Sequence, residues 1–249
     1  MTLKTLIPGL AIALACAACA TRGPRLETMT ADQLFERGST ALNNRKWTVA
    51  AESFERFTLQ FPTHPRVQEA RYRLGEAFYG KKEFLSSATE FTRLASDFPA
   101  GQFADDARFR VCDSYARLAP KPQLDPQYTR AAFDHCQVFE QLYPNSEFVP
   151  RAQELTLQMM NRLADKEYRA GEHYYKRRAY DSAIMYFEST LRLFPTSVSA
   201  PRSLLRLFQT YSTLGYKEEA DAAKARLLKD YPESEAAREI QAITVARTT

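Results

Sequence analysis

The sequence predicts an all-α fold, a right-handed superhelix of five stacked helical hairpins. Three observations predict it. First, an aromatic–proline pair recurs five times, at Phe61-Pro62, Phe98-Pro99, Tyr143-Pro144, Phe194-Pro195 and Tyr231-Pro232, with proline spacings of 37, 45, 51 and 37. Self-similarity at such a period is the mark of hairpins that bury their apolar faces only by stacking. Second, each proline ends a helix, because it lacks an N–H and disfavours helical geometry in the residue before it. Third, 45% of the 249 residues are hydrophobic and 26% charged, enough to build a core over most of the chain. With 8 glycines, 3 histidines and a net charge of +4, the composition argues against glycine-rich nucleotide loops, His-built metal sites and the basic stripe of a nucleic-acid binder.

Taken in order, residues 1–18 read as an export signal. Lys4 is the only charge before Arg22, and an apolar run from Leu6 to Ala18 is too short to span a bilayer. The segment resembles a bacterial lipoprotein signal, with Cys19 as the acylated residue and Cys16 as the alternative. Secretion without a lipid is the other reading. Two or more acyl chains anchor stably, and residues 19–29 would be the tether. The absence of aspartate after Cys19 suits sorting to the outer membrane, by resemblance to lipoproteins in general.

Hairpins 1–3 occupy residues 30–146. In the first, Leu34, Gly38, Trp47, Ala50, Phe54 and Pro62 fit the tetratricopeptide pattern. The second matches at Leu74, Gly75, Phe78, Phe84, Phe91 and Pro99, with Ser87 in place of alanine. Small residues let two helices approach, and aromatics fill the gap. The third hairpin carries eight extra residues near Ala119–Pro126, where three prolines predict a loop between its helices. Residues 147–249 hold a connecting helix, hairpins 4 and 5, and a C-terminal capping segment. The fourth hairpin matches at Gly171, Tyr174, Tyr180, Ala183, Phe187 and Pro195. The fifth keeps Leu207, Tyr211, Ala220 and Pro232, with Phe208 in place of glycine. Fourteen extra residues at Pro150–Leu163 amount to about four turns, so they extend the first helix of hairpin 4 without rotating its packing face. One long helix is expected from Glu147 or Pro150 to Arg177.

Several segments exceed what a bare repeat requires. These are Asp125-Pro126-Gln127-Tyr128-Thr129-Arg130-Ala131-Ala132-Phe133, Tyr143-Pro144-Asn145-Ser146, Leu163-Ala164-Asp165-Lys166-Glu167-Tyr168 and Tyr174-Tyr175. With the lipoprotein signal and the five hairpins, they resemble the BamD family of outer membrane protein assembly factors over essentially the whole mature chain. The imperfect lipobox and a short third-hairpin loop depart from the family. The resemblance implies a non-catalytic periplasmic scaffold, lipid-anchored to the outer membrane. Its partners would be the periplasmic repeats of the barrel insertase BamA, unfolded outer-membrane β-barrel proteins, and other lipoproteins of the complex. No cofactor is expected. A peptidoglycan-associated or division-linked repeat lipoprotein is the alternative, sharing the signal and hairpins but not the Asp-Pro-Gln and Tyr-Pro-Asn-Ser segments.

Candidate binding residues follow from the register. Outward positions of the first helices place Phe35, Leu42, Tyr72, Glu76, Tyr79 and Phe109 along a concave groove. Aromatics beside arginines suit an extended peptide ending in an aromatic residue and a carboxylate. The same aromatics could instead pack between hairpins. Lys176, Arg177 and Arg178, with Arg202 and Arg206, are candidates for contact with acidic residues of the insertase, or else a solvated turn and helix face. Cys112 stands at the glycine position of hairpin 3 and Cys136 at the facing aromatic position. In an oxidising compartment that juxtaposition predicts a disulfide, the alternative being two buried thiols. His64, His135 and His173 lie far apart with no nucleophile or ligand partner at a recognisable spacing, so neither a metal site nor a catalytic constellation is expected.

Overall fold

The computed structural model describes residues 26–121 and 124–248. The export segment, Cys16, Cys19 and the tether up to residue 25 lie outside the described residues. A 3-10 turn (Leu26–Thr28) leads into eleven helices and, among the described residues, no strand. They are α1 (Ala31–Asn43), α2 (Trp47–Gln60), α3 (Val67–Gly80), α4 (Phe84–Asp97), α5 (Ala104–Leu118), α6 (Gln127–Leu142), α7 (Val149–Lys176), α8 (Tyr180–Leu193), α9 (Ser199–Leu214), α10 (Lys217–Asp230) and α11 (Glu235–Thr248). Successive helices pair as antiparallel hairpins and stack into the expected superhelix.

Local chemistry sets the boundaries. Thr30 caps α1 with a capping box, its hydroxyl accepting from the Gln33 N–H while Gln33 accepts from the Thr30 N–H. The second helix of every hairpin stops one residue before its aromatic–proline pair. Phe61, Phe98, Tyr143, Phe194 and Tyr231 are the C-caps, with φ from −128 to −137° and ψ from 51 to 64°, outside the helical region as a following proline requires. The tight turns inside hairpins 1, 2 and 4 use left-handed residues that are not glycine, namely Arg45, Lys82 and Arg178, whereas hairpin 5 uses Gly215.

The core repeats with the sequence. A Cβ on Gly38, Gly75 or Gly171 would come within 3.0 Å of the ring of Phe54, Phe91 or Phe187, respectively. Each of those rings is fully buried, worth about 1.5–3 kcal/mol apiece. In hairpin 3 the glycine–phenylalanine pair becomes Cys112 facing Cys136, both fully buried, with a Cα–Cα distance of 4.9 Å. The loop between α5 and α6 is fastened to α7, because Arg162 donates to the Ala119 carbonyl and Lys166 to that of Leu124.

Helix α7 is the junction. It keeps one face inward over its whole length through Ala152, Leu155, Met159, Leu163, Ala164, Tyr168 and Gly171. Its first half shares a core with Phe109, Cys112, Cys136 and Phe139, and its second half packs beside Phe187 and Leu204. Ala236, Ala237 and Ile240 of α11 close the C-terminal core.

Candidate functional site

The first helices of hairpins 1–3 line a cleft of about 540 Å³ that gathers Leu42, Glu76 and Tyr79 with Arg45, Trp47, Gly80, Phe91 and Arg110. Three of the six residues expected along the groove thus come together. Tyr72 stands at its border, half-buried, stacked 5.0 Å from Phe103 and edge-on to Phe91.

Phe35 and Phe109 are corrected. They are 2% and 7% exposed and belong to the core. Phe35 packs edge-on against Phe54 and Phe57, and the Arg66 guanidinium lies 3.3 Å above its ring. Phe109 stacks on Phe148 at 4.7 Å. The reason is common to both: this early position of the first helix is roofed by the turn that opens the next hairpin. Arg66, Phe103 and Phe148 cover Phe35, Tyr72 and Phe109 in turn. The positions one and two turns later, occupied by Glu76 and by Leu42 and Tyr79, open into the cleft.

Tyr79 is held in place by a polar network that crosses from α3 to α5. Its hydroxyl donates to Asp113 at 2.6 Å and accepts from Arg117 at 2.8 Å. Burial, reinforced by the Asp113 carboxylate, pushes the Tyr79 phenol above its ordinary pKa. Burial also raises the Glu76 carboxyl, against the pull of Arg110 and Arg73. Arg110 is therefore engaged with Tyr72 and Glu76, while Arg45 is exposed at the mouth. The arrangement is an apolar wall of Leu42, Trp47, Tyr79 and Phe91 rimmed by guanidinium groups. That chemistry accepts an aromatic side chain and a carboxylate together.

Sequence reasoning missed Asp113 and the part played by Arg110 and Trp47. Asp113 repeats the positions of Ser39 and Glu76 at the 37-residue period, a signal that was available. Arg110 reaches the cleft only because α5 lies beside α3.

The C-terminal basic residues divide. Lys176, Arg177 and Arg178 are exposed at the turn between α7 and α8. Arg202 is exposed, with its guanidinium 4.4 Å from the centroid of Tyr168. Arg206 is half-buried and committed within the fold, paired with Glu172 and donating to Gln209 at 2.7 Å. The histidines have packing roles: His64 accepts from the Arg66 N–H, and His135 stacks on Tyr115 at 5.0 Å. Burial, then Arg108, depresses the His135 pKa. Among the described residues no group of three or more His, Cys, Asp or Glu is placed to hold a metal ion, and no helix is long and apolar enough to cross a membrane.

Known proteins resemble this chain in both sequence and fold. A Caulobacter vibrioides protein named outer membrane protein assembly factor BamD is 26% identical over 231 residues, covering 91% of this chain and 75% of its own length. A Vibrio cholerae protein of the same name is 24% identical over 202 residues, covering 77% and 84%. A tetratricopeptide-repeat protein from Bacteroides fragilis superposes with a TM-score of 0.51 over 88% of this chain and 100% of that one, at 13% identity, a likeness of fold alone. The sequence profile of the family described as YfiO, outer membrane lipoprotein, matches residues 27–227. Spanning most of the chain and all but the last of the stacked helices, that match shows that the chain belongs to the YfiO family of outer membrane lipoproteins.

Proposed function

We propose that this chain is a non-catalytic scaffold of outer-membrane β-barrel assembly, lipid-anchored through Cys19 or Cys16 at the periplasmic face. Its N-terminal cleft receives the aromatic-ended C-terminal segment of an unfolded barrel protein. Its C-terminal hairpins meet the periplasmic repeats of the BamA insertase, with Lys176, Arg177, Arg178 and Arg202 offered to acidic residues there and Arg206 bracing the face behind them. Other lipoproteins of the complex are further partners, and no cofactor takes part. The relatives named as BamD support the role, since they are outer membrane assembly factors. The observation that carries the substrate reading is the cleft itself, where an apolar wall meets Arg45 of the turn after α1 and Arg110 of α5. Cys112 and Cys136 form a disulfide in the oxidising periplasm.

Crosslinking of a photoreactive barrel C-terminal peptide tests the cleft. Replacing Tyr72 and Tyr79 by alanine is expected to weaken crosslinking while helicity is retained. Undiminished crosslinking with helicity intact removes the assignment. Affinity retention from detergent-solubilised membranes tests the partner: the insertase should be recovered. Its absence, with cell-wall proteins enriched, supports the peptidoglycan-associated alternative.

A further inference from the structure

A second cleft, of about 580 Å³, lies where the turns of hairpins 1 and 2 meet, lined by Arg45, Lys46, Trp47, Gly80, Lys81 and Lys82. Lys81 is tied to Glu83 at 2.9 Å. Arg45, Lys46 and Lys82 are exposed and pair with no carboxylate among the described residues. Arg45 and Lys82 are held at φ 56° and 63°, positions that stereochemistry offers to glycine. Lys46 is the N-cap of α2 and its ammonium, which has no acceptor, leaves the first N–H groups uncapped, so it sits at the positive end of a helix dipole, where a cation is disfavoured. Neither backbone geometry nor helix electrostatics accounts for this concentration of cations, and groups kept against local preference point to a ligand. Trp47 adds an indole that walls both this cleft and the first one.

Location narrows the ligand. The 3-10 turn near the end of the tether segment is pinned at the other end of hairpin 1, where Arg56 pairs with Glu27 and Gln60 donates to the Glu27 carbonyl. The basic cleft lies one helix length away, about 20 Å at 1.5 Å per residue. It is thus remote from the point where an anchored chain enters the fold, which favours a polyanion of the periplasm over the headgroups of the anchoring membrane. We propose that this cleft binds an anionic glycan, the carboxylate-bearing peptidoglycan of the cell wall. A sugar ring would pack on Trp47, and stem-peptide carboxylates would meet Lys46, Lys82 and Arg45. The choice of peptidoglycan rests on the periplasmic reading above, whereas the cleft and its charges do not.

The test is co-sedimentation of the full chain, in neutral detergent, with purified peptidoglycan sacculi. The variant K46Q/K82G leaves the residues of the first cleft in place and puts glycine where the backbone favours it, so its melting temperature should not fall. Sedimentation is expected to drop at least fivefold in the variant, to be restored in K46R/K82R, and to weaken in the wild type as salt rises. Wild-type protein that stays in the supernatant, or a folded variant that sediments like wild type, overturns the proposal. So does capture of the wild type by phosphatidylglycerol vesicles in preference to sacculi. Insertase recovery and peptide crosslinking should be unchanged in K46Q/K82G. A wild type that recovers the insertase but does not sediment therefore defeats this inference alone.

Discussion

Replacing the cysteine pair by the pair it displaced tests the repeat logic most directly. Hairpins 1, 2 and 4 lock their helices by pressing a phenylalanine onto a glycine, and hairpin 3 puts Cys112 and Cys136 at those places. The bridge proposed between them is 24 residues apart in sequence, which in the chain-entropy treatment stabilises by about 3.5 kcal/mol. Its loss should lower the melting temperature by roughly 10 °C for a chain of this size. C136F loses the bridge and also drives a ring toward a side chain where the other hairpins leave no room even for a Cβ. Overpacking of that kind costs a further ~1–3 kcal/mol. C112G/C136F removes the obstruction at the helix cost of one glycine, about 1 kcal/mol. The double variant is therefore expected to be more stable than C136F by up to ~2 kcal/mol, though less stable than the oxidised wild type. Urea unfolding followed by circular dichroism, with and without reductant, measures all three. A double variant no more stable than C136F would refute the equivalence of the cysteine pair with the glycine–phenylalanine pairs. A wild type indifferent to reductant would refute the bridge.

Four other outcomes follow. Y79F should destabilise the fold by about 1–3 kcal/mol, because the buried Asp113 carboxylate loses its hydroxyl donor, and denaturant titration reads this directly. Burial raises the folded-state pKa of Glu76 above the ordinary carboxyl value of 4.5, so its ionisation opposes folding. The stability held by the protonated carboxyl is fully present below the unfolded pKa and is lost as pH rises through the folded one. E76Q should thus gain on the wild type as pH climbs from 4.5 toward neutrality, and an unchanged difference across that window would contradict the assignment. R206A should reduce stability, since Glu172 loses its half-buried partner. A triple alanine variant at Lys176, Arg177 and Arg178 should leave stability unchanged within about 0.5 kcal/mol while weakening insertase recovery, as thermal melts and affinity retention compare.

Much of this was legible in the residues, and the legible parts share a cause. The aromatic–proline pairs mark helix ends because proline acts on its own neighbour. The 14-residue insertion is compatible with one continuous face because a helix has a fixed period, and α7 indeed runs unbroken from Val149 to Lys176. The facing of Cys112 and Cys136 followed from register, since the eight added residues form a loop and shift nothing else. Phe35 and Phe109 failed as groove residues because exposure on one helix was judged without the roof supplied by the next hairpin. The spacing from Phe35 to Arg66 and from Tyr72 to Phe103 repeats, so part of that roof was written in the chain. Which of the repeating large residues lies above which ring was not.

By itself the sequence determined the helical architecture, its hairpin boundaries, the long junction helix and the family, because each depends on local stereochemistry or on strict periodicity. The tertiary structure alone decided which outward positions remain open. It buried Phe35 and Phe109, left Leu42 and Tyr79 facing a cleft, carried Arg110 and Asp113 into reach from another helix, and gathered Arg45, Lys46 and Lys82 around one indole. Exposure and electrostatic company depend on what neighbouring helices bring from 30 or more residues away, and superhelical stacking sets that geometry in a way no single repeat encodes.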